Sequence, residues 1–323
     1  MNESETLWDA PRSHCAGDLP AEVSVYEVGA RDGLQAESAV LSSGVKVAFV
    51  GRLVAAGLRA IEVSSFVSPR RIPQLADAEE VLAALDLDGD VRFPVLVPNL
   101  RGLERAMACD VREIAIFVSA TETFARRNLN TSLDGALDMA RPVVERANAA
   151  GMNVRGYVSM CFGDPWEGYV EPRTAAGVVG RVFDLGCSSV SIGDTIGVAT
   201  PGAVGAVLKE IRNAKIEMSR LAMHFHDTYG QALVNIREAL SFDVREFDAS
   251  AGGLGGCPYA KSATGNVATE DLVWMLHGLG VRTNVDLMSL VRTSVWMARH
   301  LGHPSPSRVV AALANVAGQR AET

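Results

Sequence analysis

Two histidines one residue apart close the stretch Leu221-Ala222-Met223-His224-Phe225-His226-Asp227. Its composition is that of a β-strand, and side chains on a strand alternate between faces. His224 and His226 therefore point the same way, about 7 Å apart along the chain. Two imidazoles at that spacing can reach one metal ion. An isolated His-x-His is more often a pair of half-buried strand histidines, so the neighbouring polar residues decide. Upstream, Glu27-Val28-Gly29-Ala30-Arg31-Asp32-Gly33-Leu34-Gln35 ends another strand. Asp32 is placed there to give a hard oxygen to a metal and Arg31 to address a substrate oxygen, the competing reading being a mutual surface ion pair. Glu62 shares a strand face with Ser64, next to Ser65, and a carboxylate inside a fold needs a cation, which Arg31 can supply. Gly193-Asp194-Thr195 ends a further strand. Ala251-Gly252-Gly253-Leu254-Gly255-Gly256-Cys257-Pro258-Tyr259 has four glycines in five residues, the pattern of a mobile loop, with Cys257 on it as a candidate proton donor. Asn266 follows. Asp32, His224, His226 and Asn266 form a set of two nitrogens and two oxygens, which leaves about two positions of an octahedron for substrate. Such a set suits Mg²⁺ or Mn²⁺, with Zn²⁺, Co²⁺ and Fe²⁺ open as well.

These residues must be brought together by the elements that carry them. Short β-rich runs recur at 23–28, 60–65, 92–97, 113–119, 154–159, 189–194, 221–227 and 246–250, with helical patterns between them. Val47, Val50 and Val54 recur at helical spacing after Ser42-Ser43, and Gly57 closes that helix. Thr174 is placed to cap a helix running to Gly186, and Thr200-Pro201 reads as an N-cap followed by proline at the first helical position. Pro142 is expected to kink or divide a helix over 134–150. Strand followed by helix eight times is the signature of a (β/α)₈ TIM barrel, whose chemistry gathers at the C-terminal strand ends. A doubly wound open sheet fits less well, because no Gly-x-Gly-x-x-Gly follows the first strand and the polar residues sit at many strand ends. The expected organisation is an N-terminal arm over 1–20, a catalytic barrel over 21–280, and a C-terminal helical extension over 281–323 packed on the barrel.

The chain has 323 residues, 48% of them hydrophobic, and a mean hydropathy of +0.14. No uninterrupted apolar run approaches the roughly 18 residues that span a bilayer. A net charge of −8 and an isoelectric point near 5.3 argue against a sequence-independent nucleic-acid or anionic-membrane binder, which carries a basic stripe. The five cysteines, Cys15, Cys109, Cys161, Cys187 and Cys257, are odd in number and include no Cys-x-x-Cys pair, so a reducing, cytoplasmic setting is expected. Residues 1–20 hold Glu3, Glu5, Asp9 and Asp18 against Arg12, which is neither a secretory signal nor a transit peptide.

Over residues 23–310 the sequence resembles the 3-hydroxy-3-methylglutaryl-CoA lyase family of the DRE-TIM metallolyase superfamily. The matching stretches are Glu27-Val28-Gly29 with Arg31 to Gln35, Ser65-Phe66-Val67-Ser68-Pro69, Pro94-Val95-Leu96, Pro98-Asn99-Leu100, Arg155-Gly156-Tyr157-Val158-Ser159, Gly193-Asp194-Thr195-Ile196-Gly197, His226 to Ala232, Gly252 to Ala260, and Gly265-Asn266 with Ala268 to Leu272. The resemblance implies a divalent metal, usually Mg²⁺ or Mn²⁺, on Asp32, His224, His226 and Asn266. It implies that Arg31 stabilises the enolate oxygen of departing acetyl-CoA, supported by Glu62 and Gln35. It places Ser65 against the substrate, Cys257 in proton transfer from a lid, and Asp194 near the substrate hydroxyl as a second acid–base candidate. It further implies an acyl-CoA substrate and a homodimer or higher homo-oligomer.

The sequence also departs from the family pattern. After the fifth strand, where the family often reads Cys-x-x-Gly-Cys-Pro, stands Met160-Cys161-Phe162-Gly163-Asp164-Pro165-Trp166. Ser38 replaces a common lysine, and Gly253 is extra. These sites are expected near the acyl or CoA part of a substrate, and Arg70-Arg71 and Arg126-Arg127 are candidates for CoA phosphates or else solvated charge. Rival readings are the same cleavage on another 3-hydroxy-3-alkylglutaryl-CoA or a citramalyl-type CoA ester, a Claisen condensation synthase, and a silent acyl-CoA-binding barrel. His226-Asp227-Thr228, where synthases usually read His-Asn-Asp, and the Cys257 segment weigh against the synthase.

Overall fold

Along each strand, β-branched and aromatic residues alternate with polar or small ones, and the alternation sorts them onto two faces. The computed structural model describes residues 10–14, 17–257 and 260–319, the side chains of 257, 260–264 and 315–319 lying outside that description. Eight strands form one parallel sheet: β1 Ser24–Glu27, β2 in two halves at Ala60–Ile61 and Ser64–Ser65, β3 Val95–Leu96, β4 Glu113–Ser119, β5 Asn153–Ser159, β6 Ser189–Asp194, β7 Leu221–Phe225 and β8 Glu246–Ala249. The two halves of β2 stand at opposite ends of the pairing order. The first pairs with β1 and the second with β3, so the sheet curls back to its starting point as a TIM barrel. The switch of partner falls at Glu62 and Val63, whose amides donate to Glu27 and Pro94 carbonyls. β3 is shorter than the 92–97 expected, because Pro94 and Pro98 flank it and proline has no N–H for the ladder.

The helices are α1 Ser43–Ala55, α2 Ala78–Ala83, α3 Leu100–Ala108, α4 Glu122–Leu129, α5 Leu133–Ala149, α6 Pro172–Asp184, α7 Pro201–Asn213, α8 Ala232–Ser241, α9 Thr269–Gly278, α10 Leu287–Leu301 and α11 Arg308–Gln319. Val25, Ile61, Val63, Ile114, Ile116, Val154, Val190, Ile192, Met223 and Phe247 pack outward with helix residues such as Phe49, Leu53, Val144, Val179 and Leu208 in one continuous core. Burial of each such side chain stabilises the fold by about 1.5–3 kcal/mol.

Two helical expectations are corrected. α5 runs unbroken through Pro142. Pro142 and Asp138, whose carbonyl loses its bond, both lie on the exposed face, so that carbonyl is open to solvent while Val143, Val144 and Ala147 hold the helix to the core. α6 starts earlier than Thr174: Glu171 is its N-cap and Pro172 its first residue, since proline's fixed φ suits that position. After β8, the backbone of Val281–Val285 returns under the barrel, with Arg282 bonded to Ala21 and Val23. α10 then packs on α1, where Arg52 lies 4.6 Å from the Trp296 ring centroid. No helix among the described residues is long and apolar enough to cross a membrane.

Candidate active site at the barrel rim

Gly29-Ala30-Arg31-Asp32-Gly33 leaves β1 as a single π-helical turn, closed by the Gly33 amide on the Val28 carbonyl. Such turns are rare and recur at functional sites. Its glycines are there for space. A Cβ on Gly29 would meet Glu27 Oε1 at 2.6 Å, and one on Gly33 would meet Leu254 Cβ at 2.8 Å. The turn aims Arg31 and Asp32 over the barrel mouth. Arg31 Nε donates to Glu62 Oε2 at 2.6 Å and Nη1 to Asp32 Oδ1 at 2.5 Å. Its guanidinium also lies 5.5 Å from the Tyr157 ring centroid. The pair is therefore largely interior: Arg31 is 6% and Glu62 0% exposed.

β7 ends one residue before His226, which forms an isolated antiparallel bridge with Asn266. Bonds from Asp227 to Gly265 and from Val267 to Phe225 fix that crossing. The His224 and His226 ring centroids lie 5.2 Å apart. Asp32, His224 and His226 each offer a ligand atom within 4.8 Å of the others. Asn266 Nδ2 donates to Asp32 Oδ2 at 2.9 Å, and the amide turned half-way round would present Oδ1 instead. Burial alone would raise the Asp32 carboxyl, but Arg31, then the two imidazoles, hold it well below the usual range. Burial and the neighbouring His224 push His226 down to about 3, so its ring is neutral, and its buried Nδ1 has no hydrogen-bond partner. One anionic oxygen, two imidazoles and an adjacent amide form a donor set that fits a divalent cation.

The remaining expected residues are placed less uniformly. Gln35 follows the π turn and keeps a buried amide oxygen without a partner. Ser65 is buried, and its Oγ accepts from the Val67 amide at 3.2 Å, so it shapes its own turn. Asp194 is buried, with Oδ1 and Oδ2 accepting from the Val198 and Ala199 amides at 2.9 and 3.0 Å. Burial pushes its carboxyl up to about 7, against those bonds and His224. The glycine run is only partly a loop. Ala251–Gly253 is a buried 3₁₀ turn whose Gly252 amide is held by Glu270 Oε2 at 2.8 Å, and Gly256–Cys257 opens a two-stranded hairpin with Ala260–Thr264. The Cys257 side chain lies outside the described residues. Asp164 does not project a free charge. Its Oδ1 accepts from Trp166 and Glu167 amides at 2.7 and 3.0 Å, and its Oδ2 accepts from Thr121 at 2.6 Å. Arg70 and Arg71 are exposed, Arg126 pairs with Glu122 at 3.6 Å, and Arg127 stacks 4.4 Å from the Trp166 ring centroid.

Several polar side chains under the rim were not singled out. Asp248 Oδ2 lies 3.2 Å from His224 Nδ1 and the carboxylate pairs with Arg155. Tyr157 OH donates to Glu62 Oε2 at 3.3 Å. Glu27 collects the Gly29 and Ala251 amides and the Thr269 hydroxyl at 2.7 to 2.8 Å. The available signal was strand parity: Asp248 and Arg155 sit at inward positions of β8 and β5, where a charge needs a reason.

Fold and rim together define a class, the (β/α)₈ enzymes with a metal-competent mouth. A family model described as HMGL-like matches residues 22–296. The hydroxymethylglutaryl-CoA lyase of Pseudomonas mevalonii is 46% identical over 292 residues, 90% of this chain and 97% of that protein. The mitochondrial hydroxymethylglutaryl-CoA lyase of Arabidopsis thaliana is 48% identical over 91% of this chain, which spans only 63% of the plant protein. The crystal structure of hydroxymethylglutaryl-CoA lyase from Pseudomonas aeruginosa superposes with a TM-score of 0.89 at 45% identity, covering 92% of this chain and 99% of that one. An HMG-CoA lyase from Acinetobacter baumannii, solved with coenzyme A and 3-methylmalate, gives 0.85 at 34% identity over 90% and 95%. The chain belongs to the HMGL-like family, among proteins named as hydroxymethylglutaryl-CoA lyases, and is a carbon–carbon lyase.

Proposed function

We propose that this chain cleaves 3-hydroxy-3-methylglutaryl-CoA to acetyl-CoA and acetoacetate. The observation that carries the reading is the meeting of Asp32, His224 and His226 at one point of the rim, one residue from the buried Arg31 guanidinium. Asp32, His224, His226 and Asn266 would hold Mg²⁺ or Mn²⁺. Such a cation supplies Lewis acidity that lowers the pKa of an alcohol.

Passing the C3 hydroxyl proton to Asp194 lets that oxygen become the ketone of acetoacetate as the C2–C3 bond breaks. The bonding pair passes to C2 as a thioester enolate, and a proton delivered to C2 gives acetyl-CoA. Arg31 faces the developing enolate oxygen, fixed in direction by Glu62, which is itself held by Tyr157. A preorganised cation in a water-poor site is worth several kcal/mol there. Gln35 offers a further polar contact, and Ser65 lines the turn beside Arg31. Asp194, with its carboxyl near 7, exchanges protons near neutrality and is the second acid–base candidate. Cys257 is the proton donor to C2, carried by the hairpin over the mouth. Asp164, in the hairpin that pairs Gly163–Asp164 with Gly168–Tyr169, is consumed by two amides of its own turn and the Thr121 hydroxyl, so that departure does not argue for a different acyl group. Within the C-terminal extension, of which residues 320–323 lie outside the described residues, Ser294 and Ser305 brace the rim; the site of action is cytoplasmic, and the working form is a homo-oligomer, as the family resemblance implies.

The test is acetyl-CoA release from 3-hydroxy-3-methylglutaryl-CoA with Mg²⁺ and then with EDTA. Release that EDTA stops and Cys257→Ala strongly reduces is expected. Metal-bound protein that releases nothing would overturn the substrate assignment and turn the search to other 3-hydroxyacyl-CoA esters.

A further inference from the structure

Beneath His224, the barrel holds a polar cluster that no step of the cleavage uses. Asp248 on β8 stands in register with His224 on β7 and is 1% exposed. Its Oδ2 lies 3.2 Å from His224 Nδ1 and 2.8 Å from Ser191 Oγ, while its Oδ1 takes Arg155 Nη2. Arg155 is also 1% exposed, lies 3.9 Å from the Tyr26 ring centroid and makes a second ion pair with Glu246.

This arrangement forces the donor roles. Arginine only donates, and its pairing keeps Asp248 ionised and acceptor-only. The nitrogen facing Oδ2 must therefore be the one that carries hydrogen. We propose that Asp248, clamped by Arg155 and Ser191, is a positioning residue that fixes His224 as the Nδ1–H tautomer and so leaves Nε2 as the lone pair offered to the Asp32–His226 cluster. The neutral imidazole has one donor and one acceptor nitrogen, so fixing the first fixes the second. His226 has no such partner at Nδ1, so the cluster contains one imidazole with an imposed tautomer and one without. The inference rests on reading Asp32, His224 and His226 as a metal set.

The experiment records the tautomer first. Metal-free, ¹⁵N-histidine-labelled protein is examined by long-range ¹H–¹⁵N correlation at about pH 9, above the imidazole range, with His224→Gln for assignment. His224 is expected as Nδ1–H in the unaltered protein. Mn²⁺ binding by electron paramagnetic resonance is then compared with Asp248→Asn, which is expected to bind roughly 10- to 100-fold more weakly and to show mixed His224 tautomers. His224 found as Nε2–H, or Asp248→Asn binding Mn²⁺ like the parent, would overturn the proposal. If Asp248→Asn does not fold, the tautomer of the unaltered protein decides alone. Unaltered protein that fails to bind Mn²⁺ sinks the metal set and this proposal with it. Protein that binds Mn²⁺ with His224 as Nε2–H sinks the proposal and leaves the metal set standing.

Discussion

Arg31 and Glu62 show how far a single residue pair constrains this site. Both are buried and bonded at 2.6 Å, and a buried ion pair is costly to break because the survivor is left unpaired. Arg31→Met is expected to lower stability by about 3–5 kcal/mol and kcat by roughly 10²- to 10³-fold, as for loss of one enolate-stabilising donor. Burial raises the Glu62 carboxyl and Arg31 opposes that rise. In the variant the carboxyl climbs further, so the added instability is small while Glu62 of the parent still holds its proton and grows as pH rises above the parent's raised folded value. Arg31→Met with Glu62→Leu restores stability and leaves kcat low. Urea unfolding and steady-state kinetics on the three proteins separate the two effects, and recovery of turnover in the double variant would refute the role given to Arg31. At this scale, the sequence showed the residues whose neighbours are informative. Arg31 and Asp32 are adjacent, and His224 and His226 share a strand face. Asp248 and Arg155 lie 93 positions apart; strand parity marks each as an inward charge that needs a partner, and only the barrel's closure shows which.

At the scale of elements, two turns place the site, and both depend on close approach. Gly265 shows this for the hairpin, since a Cβ there would meet backbone atoms of Gly255 and Gly256 at 2.9 Å. Gly265→Ala should therefore displace the crossing that seats Asn266 beside His226, lowering Tm by several degrees and weakening Mn²⁺ binding, while Gly177→Ala, whose Cβ would enter open space, should do neither. Glu27 and Glu270 staple the loops on the other side, and burial raises them to about 7 and about 8. A carboxyl raised by folding holds its proton where the unfolded chain releases it. Its contribution is therefore fully present below the unfolded value of 4.5 and lost as pH rises toward 7 and 8. Urea unfolding is expected to show stability falling over that window, and Glu270→Gln to flatten the fall. An unchanged slope in Glu270→Gln would remove Glu270 as its source. Element types were legible from hydrophobic periodicity and caps. The split of β2 was not, because it follows from which neighbours its two halves meet, and the glycine run read as a loop although half of it is a buried turn.

For the whole molecule, eight βα units were readable because each strand's outward face repeats the same β-branched pattern. What the barrel interior would hold was not, because polar residues at inward positions only become a network once the sheet closes. The C-terminal helices also do more than cover the barrel: Ser294 on α10 bonds to Glu270, and Ser305 donates to the Gly252 carbonyl at 2.6 Å. The rim is thus tied to β1, β7, β8 and α10 at once, and Asp32, His224 and His226, with Asn266 beside Asp32, come together only in the folded chain. A cation that binds the native state and not the unfolded one stabilises it by mass action, by about 2.7 kcal/mol at 100 times its Kd. Mn²⁺ is therefore expected to raise Tm by a few degrees in a concentration-dependent way, EDTA to reverse the rise, and Asp32→Asn to abolish it, since that change removes the one anionic donor. Asp164→Asn serves as a control that alters a carboxylate in a rim hairpin outside the donor set, and should keep the shift even if its own starting Tm is lower. A Tm rise that survives in Asp32→Asn would place the ion elsewhere on the molecule, and no rise in the parent protein would mean that the donors gathered at the mouth do not bind it.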